Sequence, residues 1–302
     1  MVCLSPLEAY YSKELNRTGK RSLVFDKREA LSGVPINVSC GQCIGCRLQK
    51  SLDWAVRCVH EKSLHEESSF VTLTYDDEHL PKNGSLVYRD FQLFMKRYRK
   101  ITGSGVRFLM CGEYGDRNMR PHYHVLFFNR DFADKRYYKT SSNGDKLYNS
   151  DLLSELWPFG FNVVAALTFE SAAYVTRYVT KKVTGDKAAA HYGDRVPEFI
   201  KMSLKPGIGS GWLEKYGKQA YTHDFVVLDG RKCKLPRFYD TKYEVVDNAR
   251  VEVLKRSRVT KAKFREKELK ARVKKSGLFN TYNARNMVLR ASLLKRDPDY
   301  EA

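Results

Sequence analysis

The stretch most informative about the fold is Arg120-Pro121-His122-Tyr123-His124-Val125-Leu126-Phe127-Phe128. We predict a β-strand from 122 to 129. Successive side chains in a strand point to opposite faces, so His122 and His124 share one face while Tyr123 and its apolar neighbours face the core. Two neighbouring neutral imidazoles can bind one metal ion. The alternative is an exposed histidine pair with no ligand role.

A second strand is predicted just upstream, from 106 to 114, and the polar loop 115–121 joins it to the histidine strand. Because this connection is short, we expect the two strands to pair in antiparallel fashion. Glu113 would then reach the same site as the histidines and complete a set of three metal ligands. The alternative for Glu113 is a surface carboxylate or an ion pair with Arg107.

Working outward, the pattern of apolar residues predicts further elements on both sides of this hairpin. We expect helices at 47–66, 88–101, 151–157 and 171–184, and strands at 70–75 and 161–169. This order predicts an α+β fold, an antiparallel sheet with flanking helices on one face. The predicted regions are an N-terminal cysteine-rich segment and helix (1–66), a catalytic core (67–190), an irregular extension (191–240) and a basic helical tail (241–302).

The predicted helix 171–184 carries a pair of tyrosines. Tyr174 and Tyr178 are one turn apart and therefore lie on one face, and Lys181 and Lys182 extend that side. A tyrosine hydroxyl is a weak nucleophile, but a nearby ammonium or a metal-bound phosphate would make its attack on phosphorus feasible. The alternative is that both tyrosines pack in the core.

Charge points to a polyanionic partner. The 302 residues include 54 Lys and Arg against 35 Asp and Glu, a formal charge of +19, which favours nucleic acid or an anionic surface. We find no apolar run of the ~20 residues needed to span a membrane and no secretory signal at the N-terminus. We therefore expect a cytoplasmic protein with reduced cysteines.

The tail concentrates this charge, because residues 241–302 hold 17 Lys and Arg against 8 Asp and Glu. Residues 251–275 read as a basic helix with few apolar positions. We predict a mobile arm that contacts DNA phosphates; the alternative is a solvated helix. The candidate DNA-binding residues are Lys255, Arg256, Arg258, Lys261, Lys263 and Arg265.

Three cysteines follow one another at metal-ligand spacing: Cys40, Cys43 and Cys46. Structural zinc takes four ligands, and the fourth could be Cys3, Cys58 or His60. We predict a structural Zn²⁺ site, with an iron–sulfur cluster or buried free thiols as alternatives. Cys111 and Cys233 are expected to be ordinary interior thiols.

Taken together, these motifs resemble a known family. The His-x-His strand, the upstream glutamate and the Tyr-x-x-x-Tyr-x-x-Lys-Lys helix occur in the order of HUH-superfamily rolling-circle replication initiators, and residues 70–75 look like their first motif. The run Cys40-Gly41-Gln42-Cys43-Ile44-Gly45-Cys46-Arg47, followed by Trp54-Ala55-Val56-Arg57-Cys58, looks like initiators of small single-stranded DNA phages, the gokushovirus branch of the microviruses. The resemblance covers about residues 1–190.

The resemblance implies that His122, His124 and Glu113 hold Mg²⁺ or Mn²⁺ at a scissile phosphodiester of single-stranded DNA. Tyr174 or Tyr178 would attack, leaving a 5′-phosphotyrosine and a free 3′-hydroxyl, and Lys181 or Lys182 would orient phosphate or tyrosine. The implied partners are single-stranded and replicative-form viral DNA at the origin, with host helicase and polymerase, in the bacterial host's cytoplasm and with no membrane. The competing hypotheses are a transposase or relaxase of the same superfamily and a non-catalytic, zinc-containing nucleic-acid-binding protein.

Overall fold

The computed structural model describes residues 3–17, 19–115, 118–183 and 185–276, together with 284, 286–289 and 291. These residues form two compact units. The N-terminal unit runs to Lys50 and includes the few described residues between 277 and 291. The larger unit runs from Ser51 to Ser276. The boundary falls within the first helix, α1 (Ile44–Lys62).

The N-terminal unit contains a three-stranded antiparallel sheet in the order β2-β1-β3. The strands are β1 (Leu7–Leu15), β2 (Arg21–Val24) and β3 (Ile36–Val38). No element was predicted here, because two strands are very short and the burial of β1 does not alternate. Its buried apolar residues are Ala9, Tyr10 and Ala30, so the core of this unit is thin.

The larger unit is built on a seven-stranded sheet whose strand pairs are all antiparallel. Its spatial order is β10-β5-β6-β4-β9-β8-β7. The strands are β4 (Ser68–Thr74), β5 (Arg107–Tyr114), β6 (Pro121–Phe128), β7 (Arg136–Thr140), β8 (Lys146–Asn149), β9 (Asn162–Ala165) and β10 (Phe199–Met202). The predicted α+β class and the pairing of β5 with β6 are confirmed.

Helices cover both faces of this sheet, whereas the sequence predicted them on one. The helices after α1 are α2 (Tyr88–Thr102), α3 (Asp151–Leu156), α4 (Phe169–Lys181), α5 (Lys187–Tyr192), α6 (Ser210–His223), α7 (Arg237–Tyr243) and α8 (Asn248–Ser276). Tyr123, Val125 and Phe127 of β6 pack with α2 and α3 on one face. Leu126 and Phe128 pack with α1 and α4 on the other. The predicted alternation along β6 is therefore confirmed.

Helix α4 begins earlier, and β9 ends earlier, than the sequence predicts. Thr168 caps the helix: its hydroxyl accepts a hydrogen bond from the backbone amide of Ser171, and the Ser171 hydroxyl accepts one from the amide of Thr168. This reciprocal capping box satisfies two amides at the helix N-terminus. Phe169, predicted in the strand, is consequently the first residue of α4.

Residues 191–240 are not irregular, contrary to the prediction. They contain β10, α6, the start of α7 and a hairpin of β11 (Val226–Leu228) with β12 (Arg231–Cys233). These elements pack on α1 from the side opposite the sheet, around Val56, Tyr221 and Tyr239. The prediction failed because each element is short and its apolar residues are spread over several elements.

The basic helix α8 exists, but its first turns are docked and not mobile. Val251 and Leu254 are buried in the same cluster as α6 and α7. Arg258 forms ion pairs with Asp224 and Asp240. From Val259 to Arg265 the side chains are exposed. Among the described residues, no helix is both long and apolar enough to cross a membrane.

Candidate active site

Strands β5 and β6 bring the three predicted metal ligands together. Glu113 lies directly opposite His122, and Cys111 lies opposite His124. Glu113 Oε1 is 2.8 Å from Nε2 of His122 and 2.8 Å from Nε2 of His124. The two imidazole rings are 4.9 Å apart and nearly perpendicular. One carboxylate oxygen therefore lies between two ring nitrogens on the sheet face that α1 and α4 cover.

The other nitrogen of each ring is held by a neighbour. His122 Nδ1 is 3.1 Å from the carbonyl oxygen of Arg120, which can only accept, so Nδ1 carries the proton. His124 Nδ1 is 2.9 Å from the hydroxyl of Thr72 on β4. Such partners orient a ligand histidine and select its tautomer. Sequence reasoning missed Thr72, because only the β4–β6 register places it beside His124.

The site is almost closed to solvent. Glu113 and His124 are 1% and 0% exposed, and His122 is 7% exposed. Burial alone would raise the pKa of Glu113, but the charge and hydrogen bond of His122, together with those of His124, lower it. The carboxyl is therefore ionised at neutral pH. Its second oxygen, Oε2, has no hydrogen-bond partner among the described residues.

This donor set fits a divalent cation. Two imidazole nitrogens and a carboxylate oxygen lie within 4.8 Å of one another, and all three residues are buried. A buried carboxylate with an unsatisfied oxygen is costly unless a cation or donor compensates it. Imidazole and carboxylate together suit Mn²⁺ and related metals, whereas Mg²⁺ prefers oxygen ligands alone.

Helix α4 places Tyr174 against this site. The Tyr174 ring is 5.1 Å from the His124 ring in an edge-on arrangement and is 3% exposed. Its other described ring contact is Phe70 of β4. Tyr178 and Lys181 belong to α4 by their backbone, but their side chains lie outside the described part of the chain. Lys182 follows the last residue of the helix.

The cysteine cluster forms a second candidate metal centre. Cys3 Sγ is 3.6 Å from Cys40 Sγ and 3.8 Å from Cys43 Sγ, and Cys40 Sγ is 4.0 Å from Cys46 Sγ. All four sulfurs lie within 4.8 Å of one another. Tetrahedral zinc with Zn–S bonds of about 2.3 Å would place its sulfurs about 3.8 Å apart. The measured separations match a four-cysteine zinc site.

Local contacts favour thiolates in this cluster. The backbone amides of Leu4, Cys40 and Cys43 each lie 3.3 Å from a cysteine sulfur and donate to it. Burial would raise the pKa of Cys43, but the amide of Leu4 and hydrogen bonds from Cys46 and Cys40 lower it to about 6. A thiolate is the form that binds metal.

The structure answers which residue joins the three clustered cysteines. Cys3 does so, while Cys58 is buried between α1 and the sheet, where burial raises the pKa of its thiol to about 12. His60 stacks on Trp212 and hydrogen-bonds Tyr239. All seven cysteines are free thiols, and Cys111 and Cys233 are buried, as expected.

The six basic residues predicted to bind DNA divide into two groups. Lys255 pairs with Glu244 and Glu252, and Arg258 with Asp224 and Asp240, which favours structural roles for both. The remaining four are exposed on α8: Arg256, Lys261, Lys263 and Arg265.

Comparison with known proteins points to one group. A family model described as a replication-associated protein of the ORF2 type matches residues 68–183. The chain is 34% identical over 257 residues to "Replication-associated protein VP4" of Bdellovibrio phage phiMH2K, covering 81% of this chain and 78% of that protein. It is 33% identical over 264 residues to "Replication-associated protein ORF2" of Spiroplasma virus 4, covering 81% of each. "Replication-associated protein ORF4" of Chlamydia phage 1 is 32% identical over 209 residues, covering 66% of this chain and 52% of that protein. No solved structure matches the chain.

Proposed function

This chain belongs to the family of replication-associated proteins of microviruses, and on that premise we propose that it initiates rolling-circle replication of a phage genome. In this proposal it nicks single-stranded DNA at the viral origin through a tyrosine and later rejoins the strand. One observation carries the proposal: the buried His122–Glu113–His124 cluster has the ring of Tyr174 packed against it.

His122, His124 and Glu113 would hold a divalent cation, Mn²⁺ or Mg²⁺. When bound, the cation supplies Lewis-acid polarisation of the scissile phosphate. The protein's own part is to keep the ligands in position. The Arg120 carbonyl fixes the His122 tautomer with Nε2 toward Glu113, and Thr72 restrains His124 in the same way. The low pKa of Glu113 keeps it anionic, so it balances the charge of the cation.

The covalent step is a transfer of the phosphoryl group between oxygens. The phenolic oxygen of Tyr174 or Tyr178 attacks phosphorus, the bond from phosphorus to the 3′ oxygen breaks, and the phenolic proton leaves. The 3′ oxygen takes up a proton and becomes the primer end. The energy of the phosphodiester is kept in the phosphotyrosine bond, so the reverse reaction can rejoin the strand. Lys181 and Lys182, which end and follow α4, would orient the phosphate or the tyrosine.

The wider setting follows from this chemistry. A free 3′-hydroxyl must be extended by a polymerase and the strands separated by a helicase, and we propose that the bacterial host supplies both in its cytoplasm. The viral substrate would be single-stranded origin DNA and the replicative-form duplex. The formal charge of +19 favours association with either polyanion.

The competing hypotheses are less well supported. If the histidines only packed, burial of an ionised Glu113 with an unsatisfied oxygen would cost stability without compensation. A transposase or relaxase is disfavoured because the named relatives are replication-associated proteins.

We also propose that Cys3, Cys40, Cys43 and Cys46 hold a structural zinc ion. The match of their sulfur separations to a tetrahedral site supports this role. With four cysteine ligands the site is closed, so zinc there would stabilise the fold and leave no position for a substrate.

The central test is the detection of a covalent adduct. Labelled oligonucleotides that tile both strands of the encoding phage genome would be incubated with the full chain and Mn²⁺, then run on a denaturing gel. We expect one oligonucleotide to give a protein–DNA adduct that chelation of Mn²⁺ prevents. Peptide mass spectrometry should place the DNA on Tyr174 or Tyr178. Cleavage without any adduct, or an adduct on another residue, would contradict the proposed mechanism.

A further inference from the structure

A cavity of about 500 Å³ lies in the larger unit between α1, α6 and β11. None of the residues that line it belongs to the His–Glu site. Its volume falls within the range of about 300–1,000 Å³ that is typical of ligand sites. Planar rings supply much of its wall: His60, Trp212, Tyr216, His223 and Phe225.

Several of these rings are held in place. His60 stacks on Trp212 with ring centres 3.5 Å apart and planes within 8°. Its Nδ1 hydrogen-bonds the hydroxyl of the buried Tyr239 at 3.0 Å. Tyr216 leans on Trp212 at 5.4 Å. Because burial lowers the pKa of His60 to about 3, its ring is uncharged at neutral pH and behaves as part of an aromatic wall.

Cations stand beside the outer rings of the cavity. Lys215 Nζ is 5.2 Å from the centre of the Tyr216 ring, and Lys232 Nζ is 4.7 Å from the centre of the Phe225 ring. Both lysines are exposed. Proteins that bind single-stranded nucleic acid combine these two features, with aromatic faces for bases and cations for the phosphates between them.

We propose that this cavity binds an unstacked base of single-stranded DNA, with Lys215 and Lys232 holding the adjoining phosphates. The inference rests on the proposed function, since it assigns a second contact on the same substrate. It would hold the strand at a point separate from the scissile phosphate and favour single strands, whose bases are free to leave a stack.

Binding can be measured without any nicking. A variant with Tyr174→Phe and Tyr178→Phe serves as background, and its affinity for a labelled oligothymidylate is read by fluorescence anisotropy. Adding Tyr216→Ala should weaken binding by about five- to a hundredfold, the range for loss of one stacked base. Adding Lys215→Gln and Lys232→Gln should reduce the slope of log affinity against log salt by about 1.4, since each phosphate contact on a single strand contributes about 0.7.

A matched control is available on β7, where Lys139 Nζ is 5.3 Å from the ring of the exposed Tyr138. Tyr138→Ala and Lys139→Gln remove the same groups away from the cavity and should change little. In addition, an oligonucleotide of 5-iodouracil should photocrosslink to Trp212, Tyr216 or Phe225. Thermal melting checks that the variants stay folded.

The outcomes separate the two proposals. Equal affinities and slopes for cavity and control variants, or crosslinks confined to other regions, would overturn the cavity assignment while leaving nicking intact. Failure to form any tyrosine adduct, with the cavity effects present, would sink the nicking proposal and leave DNA binding in place. Cavity variants that bind DNA normally but lose a protein partner would show that the pocket receives a protein side chain, which contradicts the inference.

Discussion

At the scale of single residues, the neighbours of the ligand histidines matter as much as the ligands. Thr72 and the Arg120 carbonyl each hold one Nδ1, so that both Nε2 atoms point at Glu113. Glu113 bridges the two rings through one oxygen. Both imidazoles are therefore oriented before a cation arrives, and the ordering cost of binding it is reduced.

Thr72→Val should weaken Mn²⁺ binding by about 10- to 100-fold, the usual effect of removing an outer partner of a ligand histidine. Valine keeps the shape of threonine and removes only the hydroxyl that His124 contacts. Isothermal titration of Mn²⁺ measures the change. Thr74→Val is the control, because the Thr74 hydroxyl donates to the carbonyl of Phe161. Equal losses in both variants would show that the strand, and not the His124 contact, is responsible.

His60 makes stability depend on pH. Burial lowers the pKa of folded His60 to about 3, whereas the unfolded chain binds a proton near pH 6.5. Stability is therefore greatest above the unfolded pKa and falls as the pH drops through the interval below it. Between pH 7 and pH 5 this residue alone should cost about 2 kcal/mol of unfolding free energy.

The measurement is urea unfolding at both pH values for the parent and for His60→Phe, which keeps a ring to stack on Trp212. Other histidines titrate equally in both proteins, so the difference between the two pH dependences belongs to His60. We expect the variant to lose about 2 kcal/mol less than the parent on acidification. Identical pH dependences would mean that folded His60 titrates normally.

At the scale of elements, α4 brings the nucleophile candidates to the sheet. Its capping box at Thr168 and Ser171 sets where the helix begins, and this start places Tyr174 over His124. Tyr178 follows one turn later in the same helix. Two hydroxyls on one helical face allow a second cleavage while the first strand end is still attached.

Each single variant, Tyr174→Phe or Tyr178→Phe, should keep some adduct formation and fail to release a closed circle. The double variant should form no adduct and still bind DNA, because phenylalanine removes only the hydroxyl. Denaturing gels measure the adduct, and circle release is read from labelled single-stranded product. Tyr123→Phe, on the opposite face of the sheet, is the control and should keep full activity. Full circle release by one single variant would make that tyrosine structural.

The elements also show what the sequence could predict. The β5–β6 hairpin and its three ligands were accessible because a short connection restricts the register. Thr72 was not, since β4 joins β6 across about 50 residues of chain. The same holds for Cys3, which meets cysteines 37 and more positions away, and for β10, whose partner β5 lies far upstream. Nonlocal pairing leaves no trace in local periodicity.

At the scale of the whole molecule, the two units differ in how they can be stable. The larger unit has extensive cores on both sides of its sheet. The N-terminal unit buries few apolar residues and exposes others, among them Tyr11, Leu15 and Phe25. Units with so little core need a metal, disulfides or a partner surface to stay folded.

The purified protein should therefore contain about one zinc per chain, and removal of zinc should unfold the N-terminal unit. A strong chelator is expected to abolish hydrogen-exchange protection of β1 and α1's first turn while the central sheet keeps its own, and added Zn²⁺ should restore it. Cys3→Ser should reproduce this loss, and Cys58→Ser should not, because Cys58 lies outside the cluster. Unchanged protection after complete metal removal would contradict a structural zinc.

The positive charge is distributed so that one end of α8 is structural and the remainder is available to DNA. Val251, Leu254 and Arg258 dock the helix, so a deletion from residue 241 would expose the core and confound a binding assay. Beyond this anchor, residues 261–302 carry 12 Lys and Arg against 5 Asp and Glu. The docked part therefore fixes where a basic segment leaves the larger unit.

Neutralising the exposed Lys261, Lys263 and Arg265 to glutamine should weaken binding to single-stranded DNA of any sequence. It should also reduce the salt slope by about 2, if each residue contacts one phosphate at about 0.7 per contact. The control replaces Lys96, Lys100 and Lys205, which are equally exposed, and removes the same net charge. If only net charge mattered, both triple variants would bind alike. A smaller slope for the α8 variant alone would locate the phosphate contacts on this helix, and equal slopes would show that α8 does not touch the DNA backbone.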